Sequence, residues 1–490
     1  MGRPAGLPGG ERILVPVTYG LTVRYLVPTG LLGGLARIAT PVVGLGWDDP
    51  VLQERVEAMG IEVVRLPDAE LTHDYRMFRR RLAVVHQRRL HSPTSRIQRR
   101  QRAAGAGWNR ARLLTGARRV SDVVQMSVPG AAVGLQAREG RALEDGTNVA
   151  EFRSFLDEVD ATGVLSITPY HDQDGLLLRA ARDTGRRSVT SIISFDNPTT
   201  RERMVARSER IVVWNRFNAD EVLRSYPDLA ADRVGIIGAP QFDLHHRADL
   251  VLADDEWRSA LGLDADRPVI LYGAGPPGLV PGEPELVEAI DRAIDDGRVP
   301  DRPALLVRRH PADVGDRWDG AATRLRHGTI VLPWATGGTP YRGWPTDDDI
   351  RLQMSTLAHA AVHVNVCSSM SLDGAAFDRP QIGPTFLPGI PAAARRRVGR
   401  FYRQEHWAPI ARSGGVATVA DLDELVAELA SGLDRPGLRA DRRQRMLDEV
   451  LTYRDGRSSE RLVAEVAGAF GPSVPGSGEP LDDHDGSSVR

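Results

Sequence analysis

The chain has 490 residues, 41% of them apolar, and a formal net charge of −2, so it can bury two or three sizeable cores and its bulk charge selects no partner. All 63 basic residues are arginine, which excludes Schiff-base chemistry on lysine and the P-loop lysine of Walker-type NTPases. The single cysteine, Cys367, excludes an intramolecular disulfide and a multi-cysteine metal cage.

No apolar run reaches the roughly 18 residues of a membrane span, and residues 1–11 lack the regions of a signal peptide. A reducing cytoplasm is the expected compartment. Residues 1–10 are Gly/Pro-rich and expected to be loose. Residues 12–17 read as a short buried strand and 18–20 as the loop after it. Helical spacing runs over 23–38, interrupted by Pro28 and Gly33-Gly34. Strands at 40–44 and 61–66 flank a helix at 50–59 that Asp48-Asp49 opens and Gly60 closes. Strands alternating with helices at this spacing imply βαβ units and a parallel sheet.

Residues 76–119 differ in character, with 14 arginines, no acidic residue and interleaved apolar side chains. Much of the stretch reads as basic amphipathic helix. Two settings suit it, an anionic membrane surface and a solvated face balanced by acids elsewhere in the fold. No nucleic-acid motif accompanies it, so nucleic acid is not the expected partner.

A helix at 151–159 and a strand at 163–168 lead to the loop 169–175, which collects His171, Asp172 and Asp174. In open parallel sheets that strand end is where ligands sit. His171 with Asp172 is the candidate base for deprotonating an acceptor hydroxyl. The competing reading is turn chemistry, with Asp172 or Asp174 capping the helix 176–184. Strands follow at 188–193 and 210–214, then a helix capped by Asn215, then a strand from 232. Residues 247–266 are polar and read as a linker with a helix.

A second strand–helix series starts at 267–272 and turns on Gly273-Ala-Gly275. Gly273, Gly275 and Gly278 fit the dinucleotide glycine pattern formally, but two prolines interrupt it and no helix opens at once. A strand at 303–307 ends in Arg308-Arg309-His310-Pro311. Arginine, imidazolium and a helix N-terminus together can neutralise a departing nucleotide diphosphate. After a strand at 327–332, Asp347, Asp348 and Asp349 open a helix; they suit its dipole and are not read as a metal site. The strand 361–366 turns on Cys367-Ser368-Ser369 into a helix carrying Asp373. Unpaired helix N–H groups and serine hydroxyls there form a candidate anion site; the competing reading is a serine N-cap with Asp373 as a solvated first-turn acid. Helices follow at 421–431, 441–452 and 458–470, and 471–490 has the composition of a disordered tail.

Three patches also resemble a known family. Ser-Ser-x-x-x-Asp-x-Ala-x-x-x-x-Pro at 368–380, the Arg-Arg-His-Pro unit at 308–311, and Trp214-Asn215 through Gly238-Ala-Pro-Gln-Phe-Asp243 resemble GT-B glycosyltransferases. The resemblance is closest to the CDP-glycerol glycerophosphotransferases, which build teichoic-acid-like polymers. Val366-Cys367 stands where that family often has Asp-Tyr before the serines. The resemblance implies an α/β chain of two Rossmann-like doubly wound domains facing a cleft, with the C-terminal helix crossing back. The expected boundaries are 11–243 for the acceptor domain, 244–266 for the linker, 267–440 for the donor domain and 441–470 for the terminal helices.

It further implies that Ser368, Ser369 and His310 contact the donor diphosphate, with Arg308, Arg309, Gly273 and Gly275 nearby and Asp373 on a ribose or donor hydroxyl. The implied activity is transfer of a sugar or polyol phosphate from a nucleotide-diphosphate donor to a glycan or lipid-linked acceptor, with no cofactor. A nucleotide-sugar 2-epimerase of the same fold and a non-catalytic GT-B-like binding protein are the alternatives.

Overall fold

The computed structural model describes residues 10–90, 92–97, 131–201, 203–334, 339, 341–388 and 398–471. Among these, one compact unit holds the residues up to Thr18, 30–237 and those from Ser459 onward; a second holds 19–29 and 238–458.

The first unit is built on seven parallel strands: β1 (Arg12–Val17), β2 (Thr40–Leu45), β3 (Glu62–Arg65), β4 (Gly163–Ser166), β5 (Arg187–Ser191), β6 (Arg210–Val213) and β7 (Val234–Ile236). Their order is β3-β2-β1-β4-β5-β6-β7. Strands β1, β2, β4 and β6 are short, mostly apolar runs, as expected where helices cover both faces of a parallel sheet, whereas β3 at the edge and β5 carry more polar side chains. Leu14, Val42 and Val164 pack with Phe152, Leu156, Leu176 and Leu177 in one core. Asp49 Oδ1 accepts from Leu52 N at 3.0 Å, and Asn215 Oδ1 from Asn218 N at 2.9 Å, so two helix starts legible in the sequence are side-chain capped.

The final helix, Ser458–Phe470, packs on this first sheet. Its Phe470 ring lies so close to β4 that a Cβ on Gly163 would fall 1.7 Å from Cε1. Arg210 Nε donates to Glu465 at 2.6 Å.

The basic stretch enters this unit as the helix His73–Leu90. Its Tyr75, Leu82, Ala83, Val85 and Leu90 are buried in the unit's own interior. Arg79 pairs with the buried Glu139 at 2.5 Å, while Arg80 and Arg81 face solvent. Residues 98–130, which carry much of the remaining basic segment, lie outside the described residues, as do 472–490 of the expected tail.

The second unit repeats the arrangement with six parallel strands: β8 (Val269–Gly273), β9 (Ala304–Arg308), β10 (Gly328–Val331), β11 (Val362–Asn365), β12 (Gln381–Pro384) and β13 (Val416–Val419), in the order β10-β9-β8-β11-β12-β13. The chain enters it at Gly238, whose φ of 81° suits glycine. The stretch read as a linker belongs to this unit. It carries the helix Asp254–Leu261, whose Trp257 is fully buried against Val269, Leu271, Leu306 and Met354. Residues 19–29, read with the N-terminal domain, and 441–458 also belong to the second unit. The helix Asp347–His359 starts with a reciprocal capping box between Thr346 and Asp349. Among the described residues no group of three or more His, Cys, Asp or Glu side chains could hold a metal ion, and no helix is long and apolar enough to cross a membrane.

Candidate functional site

In each sheet the first strand of the unit has its successor on one side and a later strand on the other. Such a switch point opens a crevice at the C-terminal strand ends. In the second unit β8 lies between β9 and β11, and Gly273 is level with Arg308 on one side and Asn365 on the other. That register brings the glycine turn, the Arg-Arg-His-Pro unit and the serine loop out at one edge.

The serine loop is fixed from behind. Cys367 adopts a left-handed φ of 49°, and its N–H donates to the Tyr402 hydroxyl at 3.0 Å, which donates in turn to Pro384 O. Asn365 Oδ1 accepts from Ser368 N at 3.2 Å and from Ser371 Oγ at 2.8 Å. Ser368 Oγ accepts from Met370 N at 3.3 Å, and the Ser371 and Leu372 N–H groups bond to carbonyls of the turn. The loop therefore consumes most of the donors that the sequence suggested were unpaired. Ser369 is exposed, and its hydroxyl has no partner among the described residues.

Asp373 is buried rather than presented to a ligand. Arg24 Nη2 donates to its Oδ1 at 3.2 Å, and His245 Nε2 lies 3.2 Å from the same atom. Burial works to raise its carboxyl, but Arg24 and His245 outweigh it and hold the group below the ordinary carboxylate value. His245 is itself stacked on Phe242 at 4.7 Å and tilted against Phe377. Close by, burial and the neighbouring Arg24 charge press Arg308 down to about 10, against the pull of Asp349 and Asp373. Arg308 donates to Pro333 O at 2.8 Å and to Gln353 Oε1 at 3.3 Å. Arg24 pairs with Asp373 directly, and Arg308 feels the same carboxylate without a hydrogen bond or ion pair to it. The sequence reading missed Arg24 and His245; neither lies in a motif, and Arg24 precedes the rest of its unit by more than 200 residues of chain.

The glycine turn is already filled. Gly275 N donates to both Glu283 carboxylate oxygens, at 2.9 and 3.0 Å, and Tyr272 Oη and Arg317 Nη2 donate to them at 3.2 and 3.1 Å. A Cβ on Gly273 would fall 2.5 Å from Met370 Sδ, so this glycine serves close packing against the serine-loop helix. Glu283 is fully buried, and burial raises its carboxyl to about 7 against the opposing pull of Gly275, Arg317 and Tyr272. Arg309 turns inward, donating to Asp313 O at 2.7 Å.

His310 accepts from Ala312 N at 3.0 Å through Nδ1, so Nε2 carries the proton. Burial pushes the ring down to about 4; Asp313 opposes this and Arg317 adds to it. At neutral pH the ring offers a neutral Nε2–H donor in place of the imidazolium that the sequence suggested.

In the first unit the switch point falls between β1 and β4. Asp174 is fully buried there inside three hydroxyls. Ser166 Oγ donates to Oδ1 at 2.6 Å, and Thr168 Oγ1 to Oδ2 at 3.1 Å; Thr18 Oγ1 also donates to Oδ2. Burial raises its carboxyl to about 6 despite these three donors. Asp174 is thus an interior group and not a helix cap. His171 sits beside it, with Nδ1 3.4 Å from Thr18 Oγ1. Burial first, and Arg201 second, press the ring down to about 4, so it is neutral at pH 7. Asp172 is exposed at the first turn of the helix Asp172–Asp183. The structure accordingly groups His171 with Thr18 and Asp174.

No protein-family model and no curated protein matches the chain. Solved structures do resemble it. The S. aureus MnaA–UDP co-structure superposes with a TM-score of 0.53 at 11% identity, covering 93% of this chain and 96% of that one. The UDP-GlcNAc 2-epimerase of Neisseria meningitidis bound to UDP-GlcNAc gives 0.53 at 9% identity, covering 93% and 99%. A glycosyltransferase from Rickettsia africae gives 0.50 at 10% identity, covering 94% and 99%. At these identities the likeness concerns the fold: two parallel-sheet α/β units of GT-B type.

Proposed function

We propose that the protein is an enzyme that takes a nucleotide-diphosphate donor at the switch point of its second unit and transfers the activated sugar or polyol phosphate to a hydroxyl acceptor of the cell envelope. The observation that carries this reading is the register of β8, β9 and β11, which sets Arg308, His310 and the Ser368-Ser369 turn at one strand edge. In this reading the Nε2–H of His310 and the Ser369 hydroxyl donate to phosphate oxygens, and Arg24 and Arg308 supply the field that holds them. Arg309 and the Gly273–Gly275 turn support that edge from within. His171, at the switch point of the first unit, is the candidate base for an acceptor hydroxyl. The sequence resemblance to the glycerophosphotransferases supports polyol phosphate as the group transferred, and a lipid-linked glycan as acceptor.

A second reading, epimerisation of a nucleotide sugar at C2, is equally supported by the fold, which is similar to that of an epimerase bound to UDP-GlcNAc. The two differ in what the purified protein does without an acceptor. Incubated with UDP-GlcNAc alone and followed by proton NMR, an epimerase produces the C2 isomer. A transferase leaves the donor intact until an acceptor glycan is added, and then releases nucleotide. Conversion of the nucleotide sugar in the absence of acceptor overturns the transferase reading.

A further inference from the structure

The two serines of the second unit's site follow a residue in an unfavourable backbone conformation. Cys367 has a φ of 49°, in the left-handed region that side chains other than glycine disfavour. Its N–H is one end of a bridge. The Tyr402 hydroxyl accepts from Cys367 N at 3.0 Å and donates to Pro384 O at 3.0 Å. Cys367 follows β11 and Pro384 ends β12, and these two strands are paired through His363 with Gln381 and Val364 with Ile382. One hydroxyl thus ties the turn to the backbone of the neighbouring strand. Tyr402 is itself buried, with its ring edge-on to the buried Trp407 at 5.6 Å. Gly383 leaves room for the hydroxyl, since a Cβ there would fall 2.9 Å from it. Beyond Cys367, Ser368 N donates to Asn365 Oδ1, and the Ser371 and Leu372 N–H groups donate to the Ser368 and Ser369 carbonyls. Rotation at Cys367 therefore moves both serines.

We infer that Tyr402 is a positioning residue whose hydroxyl holds Cys367 in its left-handed turn and so sets Ser368 and Ser369 for the phosphate oxygens of the donor. This deepens the proposed function and rests on it for the phosphate. A hydrogen bond to a backbone N–H and the strain of one left-handed residue are of similar size, so the bridge decides the balance at Cys367. Without the hydroxyl the Cys367 N–H loses its acceptor and Pro384 O loses a donor. The turn then gains by rotating to negative φ, which carries Ser368 N away from Asn365. The exposed Ser369 hydroxyl leaves its place with it. Cys367 also reports on its own turn, because it is the only cysteine of the chain and is partly buried.

Two readouts on the full chain test this. The first needs no nucleotide and follows the rate at which dithionitrobenzoate labels the Cys367 thiol. Tyr402→Phe should label several-fold faster than the wild type as the freed turn opens. Gly383→Ala, which keeps Tyr402 but crowds its hydroxyl, should label faster as well. The second readout is calorimetric affinity for CDP, UDP, GDP and dTDP. Tyr402→Phe should weaken whichever of them binds by about 10-fold, the factor that left-handed strain in one residue amounts to. In a Cys367→Gly background glycine takes the left-handed turn without strain, and the same substitution should weaken binding by about 3-fold or less. A tyrosine with a merely structural role would cost the same in both backgrounds. An unchanged labelling rate in Tyr402→Phe, or equal losses of affinity in the two backgrounds, overturns the inference. If none of the four nucleotides binds the wild type, the donor reading falls, and the labelling rates still decide whether Tyr402 holds the turn.

Discussion

Glu283→Gln gives the sharpest test of how the second unit's glycine turn is held. In the wild type the carboxylate accepts from Gly275 N, Tyr272 Oη and Arg317 Nη2, yet burial outweighs them and lifts the group from 4.5 to about 7. A carboxyl raised in the folded state makes a contribution to stability that is complete below its unfolded value. That contribution is lost as pH rises through the folded value. Between pH 4.5 and pH 8 the loss amounts to roughly 3 kcal/mol, at 1.36 kcal/mol for each pH unit separating the two values. Glutamine does not titrate, so its altered hydrogen bonds add only a pH-independent offset. Urea unfolding of both proteins at pH 5, 6, 7 and 8, scored on the transition of the second unit, should show the wild type losing roughly 2.5 kcal/mol relative to the variant across the series. A flat difference, or a wild type that gains on the variant as pH rises, would mean that Arg317 pairing outweighs burial at this site.

Asp373→Asn removes the carboxylate shared by Arg24 and His245 and leaves the Arg24 guanidinium buried without its counter-charge; it should cost about 3–5 kcal/mol. Adding Arg24→Met should recover part of that loss in urea unfolding, and additive losses would refute the coupling. Gly374→Ala puts a methyl 2.1 Å from His363 Nδ1 and 2.3 Å from Gln381 Nε2, and should cost at least about 1–3 kcal/mol by overpacking. A thermal midpoint within error of the wild type would contradict the packing of the serine-loop helix on β11.

Most of the fold was legible because parallel strands covered on both faces write themselves as short apolar runs, as 12–17, 210–213 and 304–308 do. The strand Val416–Val419 was not read, since four residues at a sheet edge, one of them an exposed threonine, carry little pattern. Helical spacing over 23–38 is divided at Pro28-Thr29-Gly30, and its halves, Leu21–Leu26 and Leu31–Ala36, belong to different units. Residue spacing does not encode which sheet an amphipathic turn will cover.

At the site, strand ends were legible and partners were not. The sequence placed His310, the serines and His171 at strand termini, where local pattern suffices. It left out Arg24, His245, Glu283 and Thr18, because the contacts that define their roles span long sequence separations or depend on burial. The glycine turn shows the difference most plainly. Gly273 and Gly275 read as room for a phosphate, and the fold uses that room for Met370 and the Glu283 carboxylate.

The proposed function requires a nucleotide diphosphate to bind at the β8–β9–β11 edge. Calorimetric titration of the purified protein with CDP, UDP, GDP and dTDP tests it most directly, in the wild type, Ser369→Ala and His310→Ala. One of the four nucleotides is expected to bind. His310→Ala should weaken it by about 10- to 100-fold, the worth of a hydrogen bond to a charged group, and Ser369→Ala by a smaller factor. Binding of none of the four, or binding that neither substitution weakens, would contradict it.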